Sequence, residues 1–202
     1  MNHRHRKNGI ADLYQIVDKR YSTRDKRCAV RAKYGFVVSS IILRHSSILM
    51  RTTSKRASIL LIFSPPLRSV KDVKALVKGV QDGTIDMIVS DHNPIDIENK
   101  KVEFENGLYG TTGLETLFGS VCGIIGTEAF VRCMTTNPHK RFGLPTPVIE
   151  EGACADLTLF DPDEDYLFGE EMILSKSGNS AFLGKKLKGK ALGIIARDQL
   201  VI

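Results

Sequence analysis

The sequence predicts an α/β fold, a parallel sheet with helices packed on it, followed by a small β unit at the C-terminus. Three observations predict it. Between residues 69 and 90 a helical apolar period runs straight into a short apolar run, the αβ unit of a parallel sheet. Over the last fifty residues the pattern changes to strand-like alternation. No apolar run approaches the roughly 20 residues that a membrane-spanning helix needs. The hydrophobic 42% of the 202 residues is therefore free to build a core.

Residues 1–63 show weak periodicity: ADLYQIVDKRY (11–21) suits a short helix, while YGFVVSSIIL (34–43) and SILLIF (58–63) suit strands. SPPLRS is a rigid turn, because its two prolines fix φ and disfavour helix ahead of them. Ser69 caps the next helix and Asp72 supports its first turn. Val70, Val73, Leu76, Val77 and Val80 recur at helical spacing, and Asp82-Gly83 ends it. IDMIVS (85–90) is a short strand buried on both faces. GLETLFGSVCGII (113–125), TEAFVRCMTT (127–136) and the short NPHKRFGL read as three helices. ADLTLFDP (155–162) and KGKALGIIARDQLVI (188–202) are strands, the second folding back at Arg197-Asp198 as a hairpin does. The expected division is a basic irregular segment over 1–63, an α/β body over 64–150 and a small β domain over 151–202.

The net charge of +6 is unevenly held. Residues 1–64 carry fourteen Lys/Arg against Asp12, Asp18 and Asp25; the remainder carries fifteen against twenty acids. A basic stretch can be a nucleic-acid footprint, but these residues are scattered and build no recognisable module, so nucleic acid is not the expected partner. Two readings of the segment stay open: a genuine fold, or a stretch partly read out of frame, since residues 48–55 back-translate in a shifted frame to an acidic peptide. The basic start, MNHRHRKNG, has no apolar segment behind it, so no signal peptide and a cytoplasmic chain are expected. Cys28, Cys122, Cys133 and Cys154 form no CxxC pair and are expected to be reduced and partly buried.

Parallel α/β sheets place their chemistry at the carboxyl ends of their strands. Asp91 stands there, in SDHNP, where a carboxylate can hold a metal and accept a proton. Asp, Asn and Pro also end strands with no chemistry attached. The context decides. PPLRS, DGTIDMIVSDHNP, KKVEF, YGTTGLET, NPHKRFGL, EGACADLTLFDP and SKSGNSAFLGKKLKG follow one another over residues 64–202. In this order the chain resembles the C-terminal part of a dihydroorotase of the amidohydrolase superfamily. That family's pattern runs close to NPPLR, DGTID, an Asp-His-Ala-Pro-His stretch, a Gly-Leu-Glu helix, NPAK, GADADLVLFDP and a closing FLG-K-KG element.

The resemblance implies the C-terminal part of a (β/α)8 metal-dependent hydrolase barrel. PPLR would follow strand seven, Asp91 would end strand eight, and the closing residues would join a small β domain built from both chain ends. It implies reversible cyclisation of N-carbamoyl-aspartate to dihydroorotate, a step of pyrimidine biosynthesis, at a zinc centre. Asp91 would be both metal ligand and proton shuttle, with His92 supporting it. Three positions depart from the pattern: Ile95 stands for a substrate-contacting His, Ser64 for an Asn, and Tyr109-Gly110 for a Pro-Gly whose amides meet the substrate. Losing one polar contact to a charged ligand costs about 1.5–3 kcal/mol, so binding is expected to be impaired.

The metal ligands of the first barrel half are absent. His3 and His5 form an H-x-H with no strand before it and Lys7 where the family has Arg; His45 is equally isolated. One clear ligand cannot hold a catalytic zinc, which needs about three from the protein. Glu115 is expected to orient its helix or loop, and His139 to lie on the surface. The implied enzyme is truncated, with zinc occupancy in doubt. The competing reading is a non-catalytic scaffold that partners aspartate transcarbamoylase, and the open sheet edges of a half-barrel also invite a homodimer.

Overall fold

The computed structural model describes residues 30–32, 35–39, 70–146, 148–196 and 199–202. The first sheet holds β1 (Val30–Ala32), β2 (Gly35–Ser39) and β3 (Met87–Val89), in that order. β2 and β3 pair in parallel, with Val37 opposite Met87. The parallel step needs a long crossover, and the crossover carries α1 (Val70–Gln81). β1 pairs antiparallel with β2, so this sheet is mixed rather than wholly parallel as expected. β2 also joins residues from the supposedly irregular first segment to the strand that leads to Asp91.

α1 has the predicted extent and buries Leu76 and Val80. Arg132 Nη2 donates to Val80 O at 2.8 Å, so a guanidinium meets the last carbonyls of α1, where the helix dipole is negative. β3 is shorter than the predicted run. Ile85 precedes it, its N–H bonded to Gly79 O at 2.8 Å, so the approach to the strand folds against the helix. α2 (Leu117–Ile125) starts four residues later than predicted, because residues 113–116 form an irregular entry. α3 (Thr127–Val131), a π turn (Arg132–Thr136) and α4 (Asn137–Phe142) run on as one rod rather than as separated helices. Asn137 Nδ2 donates to Asp86 O at 2.8 Å and ties the rod to the start of β3. Leu76, Val80, Ile85, Ile88, Val121, Ile125, Ala129 and Cys133 make one buried core between these elements.

The second sheet is antiparallel, in the order β4 (Asp156–Leu167), β5 (Lys186–Ala196), β6 (Gln199–Val201). Ala196 faces Gln199, which bears out the terminal hairpin; Arg197 and Asp198 themselves lie outside the described residues. β4 continues past its expected end at Pro162. The proline sits where the pairing slips between Asp161 and Asp165, and β4 is an edge strand, so its missing N–H breaks no ladder. α2 packs on β5: a Cβ on Gly119 would lie 2.8 Å from Gly189 O and 2.5 Å from the Tyr166 hydroxyl. The Phe118 ring stacks at 4.8 Å from that of Phe160. Phe168, Ala181, Phe182 and Leu187 form a second, smaller core.

The expectations at residues 11–21, 40–43 and 58–63, at Ser64, Ser69 and Cys28, and at His3, His5, Lys7 and His45 lie outside the described residues. Cys122 and Cys133 are free and buried; Cys154 is free and exposed. Among the described residues no helix is long and apolar enough to cross a membrane.

Candidate functional site

Beyond Val89 the chain leaves β3 through Ser90 and reaches Asp91, whose φ of 53° is left-handed. It is the one non-glycine residue with positive φ among the described residues. Asp tolerates this region better than most residues, yet such a conformation still costs on the order of 1 kcal/mol and persists when its surroundings dictate it.

Those surroundings are three loops sewn together. The His92 ring accepts at Nδ1 from the backbone N–H of Gly113, 3.2 Å, and of Leu114, 3.3 Å. In the neutral ring the proton therefore rests on Nε2. His92 thus ties the strand exit to the first two residues of the irregular entry to α2, satisfying amides that a helix leaves free. Gly113 passes so close to the strand exit that a Cβ there would lie 2.5 Å from Ser90 O.

Asn93 N–H donates to Thr111 O at 2.9 Å, and Asn93 Nδ2 to Tyr109 O at 3.0 Å. Gly110 has φ 148°, and a Cβ on it would stand 2.6 Å from Asn93 O and 2.8 Å from Ile95 Cγ1. Only glycine fits this crossing. Ile95 turns a partly buried alkyl side chain toward it, while its N–H donates to Asn179 Oδ1 at 3.2 Å. Tyr109 is exposed.

The third loop, residues 175–181, closes the arrangement. Glu115 Oε1 accepts from Ser175 N–H at 2.8 Å and from the Ser175 hydroxyl. Burial pushes the Glu115 carboxyl up, but the Ser175 bonds, its own backbone N–H and the neighbouring His92 together leave it below its ordinary value. Glu115 Oε2 is enclosed without a hydrogen-bond partner, as is Thr116 Oγ1 beside it in sequence. So Glu115 does orient the helix entry, by holding the third loop to it. His139 departs from expectation: it is partly buried and its Nδ1 is enclosed without a partner. Lys100, at the end of the 3-10 turn Ile97–Lys100, is 3% exposed, and burial lowers its pKa.

The structure thus gathers Asp91, His92, Ile95, Tyr109 and Gly110 at the exit of β3. Ser64 lies outside the described residues. Among the described residues no group of three His, Cys, Asp or Glu is placed to hold a metal ion. The residues that sequence reasoning passed over are Thr111, Ser175, Ser177 and Asn179. Their signal was the SKSGN stretch itself, a polar run with an Asn beside Gly just ahead of an apolar pair.

The amidohydrolase family model matches residues 7–201. The dihydroorotase of Chlorobaculum tepidum is 38% identical over 147 residues, 70% of this chain and 34% of that protein. The dihydroorotase of Caldanaerobacter subterraneus subsp. tengcongensis is 39% identical over 142 residues, 67% of this chain and 33% of that protein. The chain spans about a third of the length of these curated relatives. Among solved structures, a D-hydantoinase (dihydropyrimidinase) from Thermus sp. aligns with a TM-score of 0.69 at 22% identity, over 82% of this chain and 38% of that one. The dihydropyrimidinase of Brevibacillus agri aligns with a TM-score of 0.70, also at 22% identity, over the same shares of the two chains. These two likenesses establish a shared fold.

Proposed function

The chain belongs to the amidohydrolase family, and from this premise we propose that it is the C-terminal part of a dihydroorotase-type cyclic amidohydrolase acting on dihydroorotate and N-carbamoyl-aspartate. The observation that carries the reading is Asp91, held left-handed at the carboxyl end of a parallel strand, with His92 fixing the loop beside it. A carboxylate at that place is a general base. In hydrolysis a water oxygen bonds to the ring carbonyl carbon, Asp91 accepts the proton that water sheds, the C–N bond breaks, and the proton passes to the departing nitrogen. Ring closure is the reverse.

Members of this family are generally metal-dependent, with zinc typical. Asp91 is a suitable donor, but the described residues do not by themselves fit a zinc centre, having no second and third ligand beside it. A complete centre draws them from outside the described residues or from another chain. The small-molecule substrate, the division into a barrel part over 64–150 and a β domain over 151–202, and the substrate positions Ser64, Ile95, Tyr109 and Gly110 belong to the same proposal.

A second reading, a non-catalytic scaffold for aspartate transcarbamoylase, is favoured by Ile95, whose alkyl side chain offers no hydrogen bond where the substrate would need one. Elemental analysis for zinc beside dihydroorotate hydrolysis on the same purified chain separates the two. Near-stoichiometric zinc with turnover supports the hydrolase. Zinc-free, inactive protein that binds a transcarbamoylase overturns it in favour of the scaffold.

A further inference from the structure

Asn179 is 1% exposed and makes hydrogen bonds with both its side chain and its main chain to two loops far away in sequence. Its Oδ1 accepts from Ile95 N–H at 3.2 Å and from the Ser177 hydroxyl at 2.5 Å. Its Nδ2 donates to Gly110 O at 3.2 Å. Its main-chain oxygen accepts from the Thr111 hydroxyl, 2.9 Å, and from Thr112 N–H, 3.2 Å. The Thr111 hydroxyl in turn accepts from Ala181 N–H at 2.9 Å, and the Ser177 hydroxyl also contacts Ile95 O. One buried amide thus bonds the segment after Asp91 on one side and the Tyr109-Gly110 loop on the other.

We infer that Asn179 is a positioning residue that sets the spacing of the two loops facing the substrate, and through them the fit of a cyclic amide beside Asp91. The inference rests on the hydrolase reading above. Its physical ground is the demand of a planar amide. Oδ1 can only accept and Nδ2 can only donate, so Ile95 N–H and Gly110 O are held at a separation fixed by one side chain. A buried group so fully bonded leaves no alternative arrangement of comparable energy. A mere core residue would support the fold everywhere; Asn179 is bonded to the loops that border Asp91 and not to the β3–α1–α2 core. Its bonds run to Ile95, Gly110, Thr111 and Thr112, so its effect falls on the spacing of the loops and on substrate fit.

The variant that tests this is Asn179→Asp, which keeps the acceptor for Ile95 and turns an oxygen toward Gly110 O in place of the donor. Two readouts are taken on the full, zinc-supplemented chain. The first is amide hydrogen exchange: Ile95 and Thr112 are expected to exchange at least tenfold faster in the variant, while the core amides of Val121 and Cys133 stay at the wild-type rate. The second is steady-state hydrolysis of dihydroorotate: KM is expected to rise tenfold or more, with kcat falling by a smaller factor and zinc content unchanged. Unchanged exchange at Ile95 and Thr112, or an equal acceleration at Val121 and Cys133, overturns the inference, as does an unchanged KM. If Asn179→Asp does not yield folded protein, Ser177→Ala, which removes one bond to the same amide, is judged by the same readouts. Absence of turnover in the wild-type chain defeats the hydrolase reading and the substrate-positioning role with it, while exchange still decides whether the clamp exists.

Discussion

Two residues beside Asp91 carry consequences that can be measured one side chain at a time. Gly113 has no room for a Cβ: the atom would sit 2.5 Å from Ser90 O, a backbone atom that cannot swing away. Gly113→Ala should therefore displace the strand exit, with a loss of about 1–3 kcal/mol, the usual cost of forcing a methyl group into a filled site. A thermal melt beside the wild type reads it, and an unchanged midpoint would contradict the close approach. Glu115 acts through charge. Its carboxyl lies below the ordinary value of 4.5 in the folded chain, so the unfolded chain takes up the proton first as the pH drops. The stability it contributes is complete above that ordinary value and is lost as the pH falls through the lowered one. Glu115→Gln should lower stability most at neutral pH and converge on the wild type as the pH falls through the lowered value, flattening this part of the acid-unfolding curve; pH-dependent denaturant titrations check it.

Helix ends and strand ends are set by different partners. The C-terminus of α1 is closed by Arg132, which reaches Val80 O at 2.8 Å and Gln81 O at 3.4 Å from the π turn of the helical rod. Arg132→Met keeps the alkyl stem and removes the donors. It should cost about 1–2 kcal/mol and loosen α1 before α2, an order that amide exchange along the two helices would reveal. The extent of α1 was legible because every signal for it is local: apolar spacing, an acidic first turn, Asp82-Gly83 at the end. The start of α2 was not legible. Residues 113–116 have a helical pattern, but this entry is bonded to distant loops, Gly113 and Leu114 to His92 and Glu115 to Ser175. β4 was cut short at Pro162 because a proline reads as a stop, and edge placement, which excuses it, is a tertiary fact. That Ile95 and Gly110 belong with Asp91 was legible only through the motifs that carry them. Asn179 was not, because nothing local tells a polar residue which distant loop will bond it.

At the scale of the whole molecule, the described residues leave the tip of the second sheet exposed. Ile195 and Leu200 face each other on one side of the sheet, Ile194 and Val201 on the other. Leu200 is 60%, Val201 56% and Ile194 47% exposed. A sheet tip apolar on both faces attracts other apolar surface, so the chain should associate as its concentration rises. Charged replacements at Ile194 and Leu200 should suppress this without lowering the melting temperature; sedimentation velocity over a concentration series is the check. The three-loop closure around Asp91 has a temporal consequence as well. Ile95 is joined to Asn179 across 84 positions, and Thr111 across 68. A ribosome adding about 5–20 residues per second needs roughly 4–17 s to travel from the first of these residues to the last. For that interval the loop that carries Asp91 has only residues 109–114 to bond, and its third partner arrives when the segment around Asn179 emerges.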